Sequence, residues 1–365
     1  MLNNKSGLII SDTRNSAISI SSRVWAEKLN ANIVYALEFP SLAKLIKAIN
    51  PDCEWVFFTW RGSLETILKD RNLTSKLNKV SKNAVLVFSV PDHIDLSIEG
   101  RVISNPIYEY ADGFTVVSRR LQNSYTDLEN VAITPMYLPD FPNTKLVEDI
   151  RKMNLPKVKN SVIWVGNSRW GESLGFQDHK GYISKLRRIV EISAEKSIPL
   201  SFKVIDRGKA FIPHRATIIE IAKSTFLLQT SASEGTGLPV LEALALGTYP
   251  LTTDVGINRE IFGVGWQEFD ASTPEEFLDK ISSSFDSIDT SALEEIYSRY
   301  IAECSLVVAN FKFPIKKSFS EVDKKREKYL DELGIDFMSR FQWPVRFLLN
   351  KLRTMTVNVN QESRE

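Results

Sequence analysis

The sequence predicts an α/β protein built from two doubly wound parallel-sheet domains. Short apolar runs of strand length alternate with stretches of helical spacing, the pattern of parallel strands with helices on both faces. The alternation occurs twice, once in each half of the chain. Between the halves lies PDFPNTKLVEDIRKMNLPKVKN (residues 139–160), a polar stretch with three prolines that reads as a linker with a short helix. The 365 residues suffice for two domains of ordinary size.

The elements follow in order. In the first half, GLIIS (7–11) reads as a strand, 22–29 as a helix and 31–37 as a strand again. EWVFF (54–58), AVLVFSV (84–90) and GFTVV (113–117) are further strands. In the second half, 162–166 reads as a strand, 183–195 as a helix, 201–206 as a strand, 216–223 as a helix and 226–229 as a strand. Thr273 and Pro274 open a helix over 274–283, with Thr273 as N-cap and Pro274 at the first helical position. A charged helical stretch covers 293–333 and is broken at Pro314. The domains are therefore expected at 1–150 and 151–310, with 311–365 as C-terminal helices and a tail.

The most informative segment is SEGTGLPVLEALALG (233–247). An apolar strand precedes it, glycines make a turn, and Pro239 sits in the first turn of a helix, where a missing N–H costs little. Unpartnered backbone N–H groups at such a helix start, with the helix dipole, suit a phosphate. Glu234 and Glu242 flank the turn with seven residues between them. Carboxylates accept O–H donors, so this pair beside a phosphate cradle suits a hydroxyl-rich ligand. A nucleotide sugar supplies both groups.

SASEGTGLPVLEALALGTYPLTTDVGINREIFG is similar to the donor-site segment of glycosyltransferase family four, whose members are retaining, metal-independent enzymes of the GT-B fold. The resemblance implies two facing Rossmann-like domains and a nucleotide diphosphate sugar as donor substrate, with no cofactor and no metal. It places Glu234 near the donor sugar, Glu242 on the ribose, and the backbone at Gly237 and Leu238 at the diphosphate, with Gly235 also among the donor-binding residues. The family's basic pair on the diphosphate corresponds to Lys180, in the Lys180-Gly181 match, and to Arg169. Arg169 comes three residues after Gly166, where the family has Arg immediately after; Asn167 occupies that place. Two fixed cations would stabilise the charge on a departing diphosphate. ADGFTVVS (111–118) also matches the family, and the strand before it ends in VPDHID, which makes His93 the counterpart of the family's cleft histidine. Glu234 and His93 are the expected catalytic residues. Two departures stand out. The turn after the first strand, SDTRNSAIS, lacks glycine, and Thr236 stands where an aromatic residue is common.

Composition narrows the alternatives. A formal net charge of +1 gives no broad attraction to nucleic acid or anionic lipid. Cys53 and Cys304 read as reduced, buried thiols. Met1–Ser6 is polar and no run reaches membrane-spanning length, so a cytoplasmic location is expected. No Asp-x-Asp, zinc-spaced cluster, phosphate-binding Gly-x-x-x-x-Gly-Lys loop or Gly-x-Ser-x-Gly motif occurs. The tail at 337–354 mixes Phe, Trp and Leu with Arg and Lys, a composition suited to peripheral membrane contact or to packing on the first domain. The family resemblance therefore implies transfer of a sugar onto a glycan or lipid-linked acceptor, in the setting of bacterial surface polysaccharide assembly. Its alternatives are a nucleotide-sugar epimerase on the same fold or a non-catalytic binding module.

Overall fold

The computed structural model describes residues 7–14, 16–37, 53–60, 62–63, 84–90, 112–126, 135–172, 175–285 and 288–313. Among the described residues, ten strands form two sheets, and every pairing in both is parallel. The first sheet has the order β2-β1-β3-β4-β5-β6, from β1 (Gly7–Ser11), β2 (Ala31–Tyr35), β3 (Trp55–Phe58), β4 (Val85–Val90), β5 (Gly113–Val116) and β6 (Met136–Tyr137). The second has the order β10-β9-β7-β8, from β7 (Val158–Gly166), β8 (Ser201–Asp206), β9 (Ser224–Gln229) and β10 (Tyr249–Thr252). These are two α/β domains, each built on one parallel sheet.

Strands β1, β3 and β10 are buried along their whole length. Their unbroken apolar runs fit strands covered on both faces. The helices follow at 3.6-residue spacing: α1 (Ala17–Lys28), α2 (Arg119–Thr126), α3 (Thr144–Arg151), α4 (Arg188–Glu195), α5 (His214–Lys223), α6 (Leu238–Ala245), α7 (Asn258–Phe262), α8 (Trp266–Phe269), α9 (Pro274–Ser284) and α10 (Thr290–Ala309). A π-helical turn over Tyr182–Arg187 leads into α4.

Several boundaries differ from the sequence expectation for local reasons. Helix α1 starts at Ala17 rather than Ser22, because the Ser16 hydroxyl accepts the Ser19 N–H at 2.9 Å and caps it. Strand β7 runs back to Val158, into the expected linker, through an irregularity between Val158 and Val162. Helix α9 carries a reciprocal capping box between Thr273 and Glu276. Helix α10 ends at Ala309, five residues before Pro314. The chain turns there so that Phe313 stacks on Trp55 of β3, with ring centroids 4.2 Å apart. Lys28 of α1 also donates to Ser305 of α10 at 3.4 Å. Cys53 and Cys304 are both buried. The tail at 337–354 lies outside the described residues. Among the described residues, no helix is long and apolar enough to cross a membrane.

The strand orders fix where a ligand can sit. In each sheet the chain goes first to one side of the starting strand and then to the other. The reversal falls between β1 and β3 in the first sheet and between β7 and β9 in the second. Loops leaving the carboxyl ends of such strand pairs diverge and open a crevice.

Candidate active site

A cavity of about 330 Å³ lies where the two crevices face each other. Thr59 and Trp60 after β3 line one side; Asn167, Lys180 and the 229–239 segment after β7 and β9 line the other. The loop after β9 is held from beneath. Thr253 donates to the Ser231 carbonyl at 2.6 Å, and Ala232 N–H donates to the His179 carbonyl at 2.8 Å. Gly237 then caps α6 in the left-handed region, at φ 69° and ψ 55°, with no side-chain capping bond. A Cβ there would lie 2.1 Å from Nε2 of Gln229, which is buried and bonded to Asn258. The first turn of α6 thus opens onto the cavity without a protein side chain capping it, the geometry an anion requires.

Lys180 arrives from the loop after β7. Asp178 accepts the N–H groups of Ile183 and Ser184 at 2.8 and 2.7 Å and caps the π turn. Gly181 is left-handed, at φ 63°, and packs on Thr230: a Cβ would meet the Thr230 carbonyl oxygen at 2.2 Å. Thr230 donates to the Lys180 carbonyl at 2.7 Å while accepting from Trp164 Nε1 at 3.0 Å. The Lys180 ammonium is thereby aimed at Glu234 Oε1, 2.5 Å away, which also accepts from Ser231 at 2.6 Å. Lys180 lies over the Trp170 ring as well, 5.2 Å from its centroid.

Glu242 sits one turn into α6 and is only 2 % exposed. It reaches this position because α6 is buried on nearly every side. Val240, Leu241 and Leu244 are fully buried, each contributing about 1.5–3 kcal/mol, and their burial carries the carboxylate inward with them. Its partner is His214, the first residue of α5, whose Nε2 lies 2.7 Å from Glu242 Oε1. A buried carboxylate with a hydrogen-bonding partner avoids most of the penalty that an isolated one incurs.

The sequence-derived residues fall into three groups. Glu234, Glu242, Lys180, Gly235, Gly237 and Leu238 all line the one cavity. Arg169 does not: it is exposed beyond Asn167, whose side-chain oxygen accepts its backbone N–H at 3.1 Å. The two residues between Gly166 and Arg169 set it outside the cavity lining. His93 lies outside the described residues.

Other residues emerge only from the structure. Arg207, just after β8, lines the cavity, and its backbone N–H donates to the Gly166 carbonyl at 2.8 Å. Its Nε is buried without a hydrogen-bond partner. Nothing in IDRGKA separates it from an ordinary surface arginine. His179 lines the same space, stacked near Trp170 with centroids 4.6 Å apart and bonded to the Ser233 carbonyl at 3.1 Å. Burial, and then the neighbouring Lys180 charge, lower its pKa; Glu234 and the Ser233 carbonyl oppose the shift. Thr236 donates to Asp140 Oδ2 at 2.6 Å and so ties the second domain to the first. Burial raises the Asp140 pKa against the hydrogen bonds from Thr236 and Ser21. Among the described residues, no group of three or more His, Cys, Asp or Glu could hold a metal ion.

Comparison with known proteins agrees with this geometry. Residues 209–288, which include His214, Glu234 and Glu242, match the family model for Glycosyl transferases group 1. No curated protein sequence matches the chain. Among solved structures, it is similar to Anabaena HepE in complex with UDP-glucose and in complex with UDP and glucose. The TM-score is 0.51 in both cases, at 13 % and 14 % identity, over 91 % of this chain and 100 % of HepE. A HepE complex with UDP gives a TM-score of 0.50 at 14 % identity, over 90 % of this chain and 99 % of HepE. Residues 209–288 thus match a glycosyltransferase group 1 model, within a chain of the GT-B fold.

Proposed function

We propose that the protein is a retaining glycosyltransferase that moves a sugar from a nucleotide diphosphate sugar to a hydroxyl of a glycan or lipid-linked acceptor without a metal ion, as in bacterial surface polysaccharide assembly. One observation carries the reading: two carboxylates, a lysine and an uncapped helix N-terminus converge on one cavity between two domains. Lys180 and the first turn of α6 suit the diphosphate. Glu242, held by His214, suits the ribose hydroxyls, and Glu234, held by Lys180 and Ser231, suits the sugar.

In the reaction the acceptor oxygen bonds to the anomeric carbon on the face the diphosphate leaves. The bond from that carbon to the phosphate oxygen breaks, and the hydroxyl proton departs with the diphosphate. Lys180 and the helix terminus stabilise the charge that develops on the leaving group. Closing the cleft excludes water and so limits donor hydrolysis. The HepE complexes with UDP and UDP-glucose make uridine diphosphate sugars the first donors to test.

A thermal-shift screen against UDP-, GDP-, ADP- and dTDP-sugars checks the donor class. A bound donor at a hundredfold excess over its Kd stabilises by about 2.7 kcal/mol. Transfer from the stabilising donor should continue in EDTA. Loss of transfer in EDTA, restored by magnesium or manganese, would contradict the metal-free part of the reading.

A further inference from the structure

The groups that suit a donor, Lys180, Glu234, Glu242 and the start of α6, all stand on the second-domain side of the cavity. The first-domain side has a different chemistry. It is built at the carboxyl ends of β3 and β4, where Phe58 and Phe88 lie in register. Thr59 and Trp60 follow the one strand, Ser89 lies near the end of the other, and Ile18 and Ile20 of α1 stand beside them. Among the described first-domain residues that line the cavity there is no lysine, arginine or histidine. The carboxylate on this side, Asp140, is already hydrogen-bonded to Thr236 at 2.6 Å. The wall is therefore largely apolar, and it offers nothing cationic to a ligand.

Two features of this wall have no use within the protein. Trp60 is half-buried, and its ring lies against bare backbone at Gly62, where a Cβ would overlap it. The Trp60 carbonyl accepts the Ser63 N–H at 3.1 Å and closes the turn that carries the ring. Trp170, on the opposite side, is by contrast engaged, with His179 beside it and Lys180 over its ring. The second feature is Ser89. It is 2 % exposed and lines the cavity, and its hydroxyl has no hydrogen-bond partner among the described residues. A buried hydroxyl left unpaired is costly, and folded proteins rarely keep one without a reason.

We propose that this wall takes a neutral sugar ring of the acceptor, stacked on Trp60 and hydrogen-bonded through one of its hydroxyls to Ser89. A pyranose presents apolar C–H groups on a ring face and hydroxyls around its rim. An aromatic ring suits the first and an unpaired hydroxyl the second. A phosphate would meet no cation on this wall to replace its lost water. The proposal rests on the glycosyltransferase reading and adds the acceptor class to it. The group held against the donor is a terminal sugar, carried by a free glycan or by a lipid-linked one, and not the phosphate of a lipid.

The test uses the full chain and saturation-transfer NMR, with and without UDP. The probes are methyl α-glucoside, methyl α-galactoside and methyl N-acetyl-α-glucosaminide, with farnesyl phosphate as the lipid phosphate. The proteins are wild type, Trp60→Ala, Trp60→Phe and Ser89→Ala, with thermal unfolding as the control for folding and UDP titration as the control for the donor side. At least one glycoside should bind wild type, with saturation concentrated on the protons of one ring face. Trp60→Ala should weaken that binding roughly tenfold or more, and Trp60→Phe should retain part of it. Ser89→Ala should weaken it roughly two- to tenfold. UDP affinity should be the same in all four proteins. No glycoside binding to wild type, or binding indifferent to Trp60→Ala, would overturn the proposal. So would farnesyl phosphate binding that depends on Trp60 where the glycosides do not bind. Binding indifferent to Ser89→Ala would overturn the role given to its hydroxyl. Failure of UDP and every nucleotide sugar to bind wild type would instead overturn the donor reading, with the glycosides still reporting on Trp60.

Discussion

Glu242 and Lys180 show why the site needs a fold before it has chemistry. Their partners, His214 and Glu234, stand 28 and 54 positions away along the chain. Glycines, a proline and a helix start around the two glutamates suggested a phosphate cradle flanked by carboxylates, while Lys180 was implied only by the family resemblance, through the glycine that follows it. Sequence reading could not give His214 or Arg207, whose neighbours in sequence carry no comparable pattern. It favoured Arg169 on proximity to Gly166, whereas the backbone returning from β8 puts Arg207 into the cleft instead. His179 supports a prediction at this scale. Burial and Lys180 hold its pKa below the ordinary 6.5, so the folded chain binds fewer protons than the unfolded chain just below that value. Its share of stability is full above about pH 6.5 and is lost as pH falls through the lowered folded value. Thermal unfolding between about pH 7.5 and 5.5 should show wild type losing more stability toward acid than His179→Gln. Parallel pH profiles would show that His179 does not titrate in this way.

At the scale of elements, most strands were legible because they are short, apolar and bounded by polar residues. Helix starts were less so. Serines cap and populate the first turns of α1, and apolar periodicity does not register a capping serine as helix. The π turn before α4 was not legible at all. It depends on Asp178 capping a turn that opens at a left-handed glycine. That glycine gives the second prediction. Gly181→Ala must adopt a left-handed conformation, costing roughly 1–2 kcal/mol. It must also move the Thr230 carbonyl, which is backbone and cannot rotate away; overpacking of this kind costs about 1–3 kcal/mol. Denaturant unfolding should show a loss of at least about 2 kcal/mol, together with weaker donor binding as Lys180 shifts. Stability equal to wild type would mean that the turn is not held as described. A milder effect is expected at α9, where Thr273→Ala removes one half of the capping box and should cost about 1 kcal/mol. No change in unfolding midpoint would show that the cap is dispensable.

For the whole molecule, the two-sheet architecture was readable from alternation alone, but the contacts that join the halves were not. Besides Thr236 and Asp140, Glu260 of α7 accepts the N–H groups of Arg119 and Arg120 at the start of α2, at 2.7 and 3.2 Å. Arg120 also pairs with Asp254 at 3.1 Å. Each bond runs between residues more than ninety positions apart, so only the closed arrangement of the sheets brings them together. Thr236 read as a departure from an aromatic pattern; in place it is a tether across the cleft beside the first turn of α6. A double-mutant cycle between Thr236→Val and Asp140→Asn should give a coupling energy of about 1–2 kcal/mol, and additive effects would remove the tether from the picture. The claim on which everything else depends is that the cavity between the sheets is a donor site with Glu242 on the ribose. Calorimetric titration of the stabilising nucleoside diphosphate into wild type and Glu242→Gln, in EDTA and with folding checked by thermal unfolding, tests it. A charge-assisted hydrogen bond is worth about 1.5–3 kcal/mol, so the variant should bind roughly ten- to a hundredfold more weakly while remaining folded. Equal affinity in the two proteins would contradict the assignment of Glu242 and of the site built around it.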